Sequence, residues 1–137
     1  MIDLINKIRA TSKSLAKTIV LPEAEDPRVR EAAEKIKKES IAKVILLDKD
    51  NLDSRKIEKF TEEFYQLRKH KQITIEEARK TVSEPVYYAA MLARSGEADG
   101  FVAGASHTTP DVARAAIYCL GVDKRFGIIS SCFIMIL

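Results

Sequence analysis

The sequence predicts an α/β protein with a three-layer, doubly wound fold around a mostly parallel sheet. Three observations carry that prediction. Apolar residues recur at helical spacing in several segments, and between these lie short β-branched runs that are apolar throughout, as strands covered on both faces are. The two kinds alternate as α, β, α, β, several α, β, α, β, the order that joins parallel strands through helical crossovers. Asp-Pro, Thr-Pro and single glycines stand where one kind gives way to the other.

Leu4, Ile5, Ile8 and Leu15 recur among polar residues and predict an amphipathic helix over residues 2–15. Thr18-Ile19-Val20-Leu21, closed by Pro22, is the first strand. Asp26-Pro27 then supplies an N-cap with proline at the first helical position, and Val29, Ala32, Ala33 and Ile36 fall on one face of the clearest helix. Lys43 to Leu47 is the second strand, and Asp48-Lys49-Asp50-Asn51 its turn. Ile57, Phe60, Phe64 and Leu67 step by three and four through a helix over 54–69. Thr74 with Glu77 is a capping box that opens a short helix through Lys80. From Pro85, residues Val86 to Ala93 are apolar all round, as in a helix buried on most sides. Asp99 to Ala103 predicts the third strand, ending at Gly104, and Thr109-Pro110-Asp111 opens a helix that Gly121 closes. Phe126 to Leu137 is expected to form a fourth strand.

Of the 137 residues, 46% are apolar and 31% charged, enough to offset the entropy of ordering, so disordered and collagenous classes are excluded. A net charge of +3 is too balanced for attraction to nucleic acid or a membrane surface. The apolar run from Phe126 is shorter than the roughly 20 residues a spanning helix needs, and Met1-Ile2-Asp3 opens without a secretory signal, so a cytoplasmic location is expected. Residues 1–80 carry 19 basic and 15 acidic side chains, whereas only nine charges follow, so the second part reads as interior. An apolar run at Ile134-Met135-Ile136-Leu137 suggests the front portion of a longer protein. Cys119 and Cys132 have neither metal-ligand nor redox spacing and are expected to be buried.

Ligands of open α/β sheets bind beyond the carboxyl ends of the strands. Leu21 to Pro27 carries three carboxylates and reads as a polar connection with one capping Asp. Ala103 to Pro110 is the candidate anion loop: small residues for close backbone approach, the hydroxyls of Ser106, Thr108 and Thr109, and a helix dipole. Arg114, on an otherwise apolar helix, either meets a buried carboxylate or enters a cleft. Arg68-Lys69-His70-Lys71 reads as a solvated helix end, and His107 as a loop-ordering group, since no carboxylate stands at a recognisable spacing from it.

Several segments together resemble the N-terminal part of phosphate acetyltransferases: Lys17 to Ala33, with TIVLPEAEDP; Phe64 to Lys71; Tyr87 to Met91; and Gly96 to Thr108. The resemblance implies the first domain of a two-domain enzyme of isocitrate-dehydrogenase-like fold, with residues 1–137 forming a truncated N-terminal domain and the second domain absent. It implies acetyl transfer between CoA and phosphate, with CoA or acetyl-CoA, acetyl phosphate and phosphate as substrates, no permanently bound cofactor, no metal, and a homodimer for the full-length enzyme. It places Arg114 as a catalytic residue, and Arg68, Ser106, His107, Thr108 and Thr109 at the substrates. Where the family commonly has Arg-Pro, this chain has Arg114-Ala115. The family's base, an Asp near a Ser-Arg pair, belongs to its C-terminal half, so the isolated chain is expected to be inactive. The alternatives are a phosphate butyryltransferase-like enzyme and a non-catalytic binding module of the same fold.

Overall fold

The computed structural model describes residues 2–135. Three strands, β1 (Thr18–Leu21), β2 (Lys43–Leu46) and β3 (Gly100–Phe101), form a parallel sheet in the order β2-β1-β3. Thr18 faces Lys43 across one ladder, and Ile19 faces Gly100 across the other. Asp99 fixes the start of this register: its carboxylate accepts from the Thr18 amide at 2.8 Å and from Lys17 Nζ at 3.0 Å.

Six helices cover the strands. α1 (Ile2–Leu15) and α2 (Pro27–Lys38) lie on the face to which Ile19 and Leu21 point. On the opposite face, α3 (Ser54–Arg68), α4 (Ile75–Val82), α5 (Pro85–Ser95) and α6 (Thr109–Leu120) enclose the main core. Because side chains alternate along a strand, Val20 enters that core while its two neighbours serve the other layer, which is why β1 is apolar throughout. Val20, Phe60, Val82 and Met91 are fully buried, and each contributes about 1.5–3 kcal/mol by leaving water. Phe60 meets Tyr88 edge to face at 5.4 Å, and Phe64 meets Tyr87 in the same way at 6.0 Å.

The helix starts follow their caps. Asp26 accepts from the Arg28 amide, Asp53 from those of Arg55 and Lys56, and Thr74 and Glu77 complete both halves of the capping box. α6 starts one residue earlier than expected. Thr108 is the N-cap, extended at φ −75° and ψ 158°, and its reciprocal contacts are with Asp111.

Three expectations fail. β3 is only two residues long: Val102 still donates to the Val20 carbonyl, but beyond it the backbone turns its amides toward Glu23 instead of the sheet. Phe126 to Met135 form no strand, for want of a ladder partner among the described residues; Phe133 is 90% exposed, and Ile136 and Leu137 lie outside the described residues. Cys119 is buried as expected, and burial pushes its thiol up to about 12, but Cys132 is exposed within that unpaired segment.

Phe60→Ala should cost about 3–5 kcal/mol in urea unfolding, because it empties the centre of the core. Ile8→Ala, on the exposed side of α1, should stay within about 0.5 kcal/mol in the same measurement.

Candidate functional site

The carboxyl edge of the sheet is organised by Glu23, two residues beyond the end of β1 and 4% exposed. Its Oε2 accepts from the amides of Gly104 and Ala105 at 3.0 and 2.9 Å. Its Oε1 accepts from the amides of Ser106 and His107, each at 3.0 Å, and from Ser106 Oγ at 3.1 Å. His107 Nδ1 lies 2.7 Å from the same oxygen. Burial raises the Glu23 carboxyl, but the contacts with the His107 ring and then the Ser106, Ala105 and Gly104 amides outweigh it and hold the pKa at about 2. Gly104 stands at φ +121°, a conformation L side chains rarely adopt, and this turn is what aims successive amides at one carboxylate.

Within the candidate loop Ala103 to Pro110, the amides of residues 104–107 do form an anion nest, and the protein's own carboxylate fills it. Sequence reasoning misassigned both partners: the acidic connection is the anion, and the amides of Ser106 and His107 are engaged within the chain. Arg28 adds a second tie, donating to the Ala105 carbonyl at 2.7 Å while its guanidinium also binds Asp26.

The remaining predicted site residues fall in separate places. His107 and Arg114 border one hollow of about 140 Å³ with Glu84, Val86, Tyr87 and Asp111. Arg114 is half exposed; its Nη1 donates to Asp111 Oδ1 at 3.3 Å, and its other nitrogens bind nothing among the described residues. The Thr108 hydroxyl donates to Asp111 at 2.6 Å, so it is a capping group rather than a free donor. That bond is the main reason the Asp111 carboxyl lies below its usual range, and Arg114 adds to it. Thr109 faces a different hollow, with Gly104, Ser130 and Ser131. Arg68 is not a solvated charge: its guanidinium stacks 3.8 Å from the centre of the Tyr118 ring. Tyr118 lies one helical turn beyond Arg114, so both arginines line the same side of α6.

Glu23, Glu84, Tyr87 and Tyr118 were not singled out in the sequence. The available signal for Glu23 was positional: an acidic residue at the carboxyl end of the first strand, flanked by Pro22 and Ala24, which are buried like it. A hollow of about 700 Å³ lies on the α1–α2 face between Leu15, Ile19, Val29, Ile36 and Val102. It is an incompletely filled apolar layer with few groups capable of chemistry. Among the described residues no group of three or more His, Cys, Asp or Glu is placed to hold a metal, and no helix is long and apolar enough to cross a membrane.

A parallel sheet with a rigid loop and an arginine beyond its strand ends defines a doubly wound α/β protein of the kind that binds ligands at that edge. Comparison with known proteins narrows the class. The family model described as phosphate acetyl/butaryl transferase matches residues 3–137, and the chain belongs to that family. It is 39% identical to the phosphate acetyltransferase of Acetivibrio thermocellus, across 96% of this chain and 46% of that one. The phosphate acetyltransferase of Thermoanaerobacterium thermosaccharolyticum is 37% identical over the same shares. The crystal structure of a phosphotransacetylase from Streptococcus pyogenes superposes with a TM-score of 0.77 at 27% identity, over 87% of this chain and 42% of that one. A phosphotransacetylase from Staphylococcus aureus gives 0.73 at 29% identity, over 89% and 43%. The chain thus spans a little under half the length of the relatives it matches.

The Glu23 carboxyl falls from an ordinary 4.5 to about 2 on folding, so its contacts stabilise fully above pH 4.5 and are lost as pH drops toward 2. The difference amounts to about 3 kcal/mol. Urea midpoints recorded from pH 7 down to pH 2.5 should fall steeply below pH 4.5. Glu23→Gln should be less stable at pH 7 and show a flatter acid limb, since it leaves several buried amides poorly paired.

Proposed function

We propose that this chain supplies one wall of the active site of a phosphate acetyltransferase, an enzyme that exchanges an acetyl group between CoA and inorganic phosphate. The observation that carries the reading is the pairing of Arg114 with His107 on one hollow at the carboxyl edge, next to a loop that Glu23 holds rigid. Membership of the family and the names of its relatives support it. In this reading residues 1–137 form the N-terminal α/β domain, and the rest of the site comes from the length of the relatives that this chain does not span. A cytoplasmic, homodimeric whole enzyme with CoA as substrate rather than resident cofactor accords with the same resemblance.

The chemistry is acyl transfer. In the direction of acetyl-CoA synthesis the CoA thiol loses its proton to a base outside this chain, because the thiolate is the competent nucleophile. The sulfur attacks the acetyl carbonyl of acetyl phosphate, the carbon–sulfur bond forms, the carbon–oxygen bond to phosphorus breaks, and phosphate departs. Arg114, with most of its guanidinium unpaired, neutralises charge on the departing phosphate. Arg68 stays over the Tyr118 ring, available to the phosphates of CoA farther along α6. Of the loop hydroxyls, those of Ser106 and Thr108 are engaged within the chain and shape the wall, while Thr109 faces the neighbouring hollow beside Gly104.

The test is a chimera in which this chain replaces the matching portion of the Acetivibrio thermocellus relative. It should form acetyl-CoA from acetyl phosphate and CoA. Arg114→Ala in that chimera should lower kcat/KM for acetyl phosphate by about 10²-fold or more, with Arg114→Lys intermediate because an ammonium cannot bind the oxyanion in two-point fashion. A folded chimera without turnover overturns the reading.

A further inference from the structure

Glu23 takes no part in the transfer just described, yet it is the most fully engaged side chain at the site. An ionised carboxylate only accepts hydrogen bonds. The 2.7 Å contact with His107 Nδ1 therefore requires the ring proton to sit on Nδ1, which leaves Nε2 of the neutral ring with a lone pair. The Glu23 side chain is 2% exposed and that of His107 36%, so the ring, unlike its partner, is open to solutes. His107 borders the hollow shared with Glu84, Tyr87, Asp111 and Arg114. The second hollow beside His107 adds Glu25, Asp48 and Lys49.

This environment is unusual for an anion. A ligand made only of acceptor atoms finds two side-chain donors, the Arg114 guanidinium and the Tyr87 hydroxyl, and is repelled by the Glu84 and Asp111 carboxylates and by the Nε2 lone pair. An oxyanion that still carries a proton gives its O–H to Nε2 and its ionised oxygens to Arg114.

We propose that Glu23 is a positioning residue for oxyanion selection: by locking His107 in the Nδ1–H form it makes Nε2 an acceptor, so that the Arg114 hollow takes protonated phosphate and refuses sulfate. The inference rests on reading that hollow as a substrate wall. Phosphate and sulfate have the same shape and differ at neutral pH in the P–O–H donor, and a site built to accept that hydrogen bond is left with an unpaired lone pair by the analogue that lacks it. A protonated ring would donate from both nitrogens and erase the distinction.

The experiment uses the full chain, labelled with nitrogen-15, at pH 8. Long-range proton–nitrogen correlations report both imidazoles, with exposed His70 as the reference. His107 should show a protonated Nδ1 and a bare Nε2, and Glu23→Gln should abolish that preference; an Nε2–H form in the parent chain overturns the proposal. Inorganic phosphate should shift the His107 and Arg114 signals at concentrations at least about 10-fold below those at which sulfate does. His107→Phe, which keeps the backbone amides on Glu23, should bring the two anions to parity, and it serves as the variant of record if Glu23→Gln does not fold. Equal response to both anions, or response to neither, overturns the selectivity. The acetyltransferase reading fails on a different result, the absence of turnover in the chimera.

Discussion

Two loops that follow neighbouring parallel strands, 81 to 84 positions apart in the chain, are held together by a single buried carboxylate. Glu23 gathers four successive amides, a hydroxyl and an imidazole, and almost every functional feature depends on that gathering. It draws the chain out of the sheet after Phe101, sets the direction from which Thr108 caps α6, and so decides where Arg114 stands. A carboxylate in this position is costly to bury alone and stable once its oxygens are saturated, so the loop and the acid hold only as a pair.

The same constraint separates the groups consumed by the framework from those left exposed at the carboxyl edge. An amide-rich loop at the start of a helix is ordinarily read as an anion site. Here the nest is occupied internally, and the side chains left at the same edge are His107, whose ring is partly exposed, and Arg114 against Asp111. The two layers around the sheet differ in a matching way. The α3–α6 side is closed by aromatic and aliphatic packing and gives the site a rigid floor, whereas the α1–α2 side retains a large apolar hollow.

Much of the fold was legible because its signals are local. Asp26 before Pro27, and Thr74 before Glu77, announce helix starts through bonds made within three residues. Val86 to Leu92 announces a buried helix by having no polar face. That the expected fourth strand would not form over Phe126 to Met135 was not legible, because a strand exists only where another backbone accepts its ladder, and apolarity does not supply that partner. Glu23 was only one of three carboxylates in a polar connection for the corresponding reason: its neighbours in sequence are acidic, and its partners in space begin at Gly104. Arg68 looked like one charge in a basic run, and Tyr118, the ring that singles it out, lies on another helix.

By itself the sequence determined the alternation of strands and helices, the parallel α/β class, the caps, and through its segments the family to which the chain belongs. Periodicity and capping are interactions between near neighbours, and they survive without knowledge of the rest of the chain. Only the tertiary structure decided which polar residues are tied into the fold and which stay exposed at the carboxyl edge. That division depends on pairs far apart in sequence, Glu23 with His107 and Arg68 with Tyr118, whose contacts arise when parallel strands bring their carboxyl ends to one edge and helices close over one face.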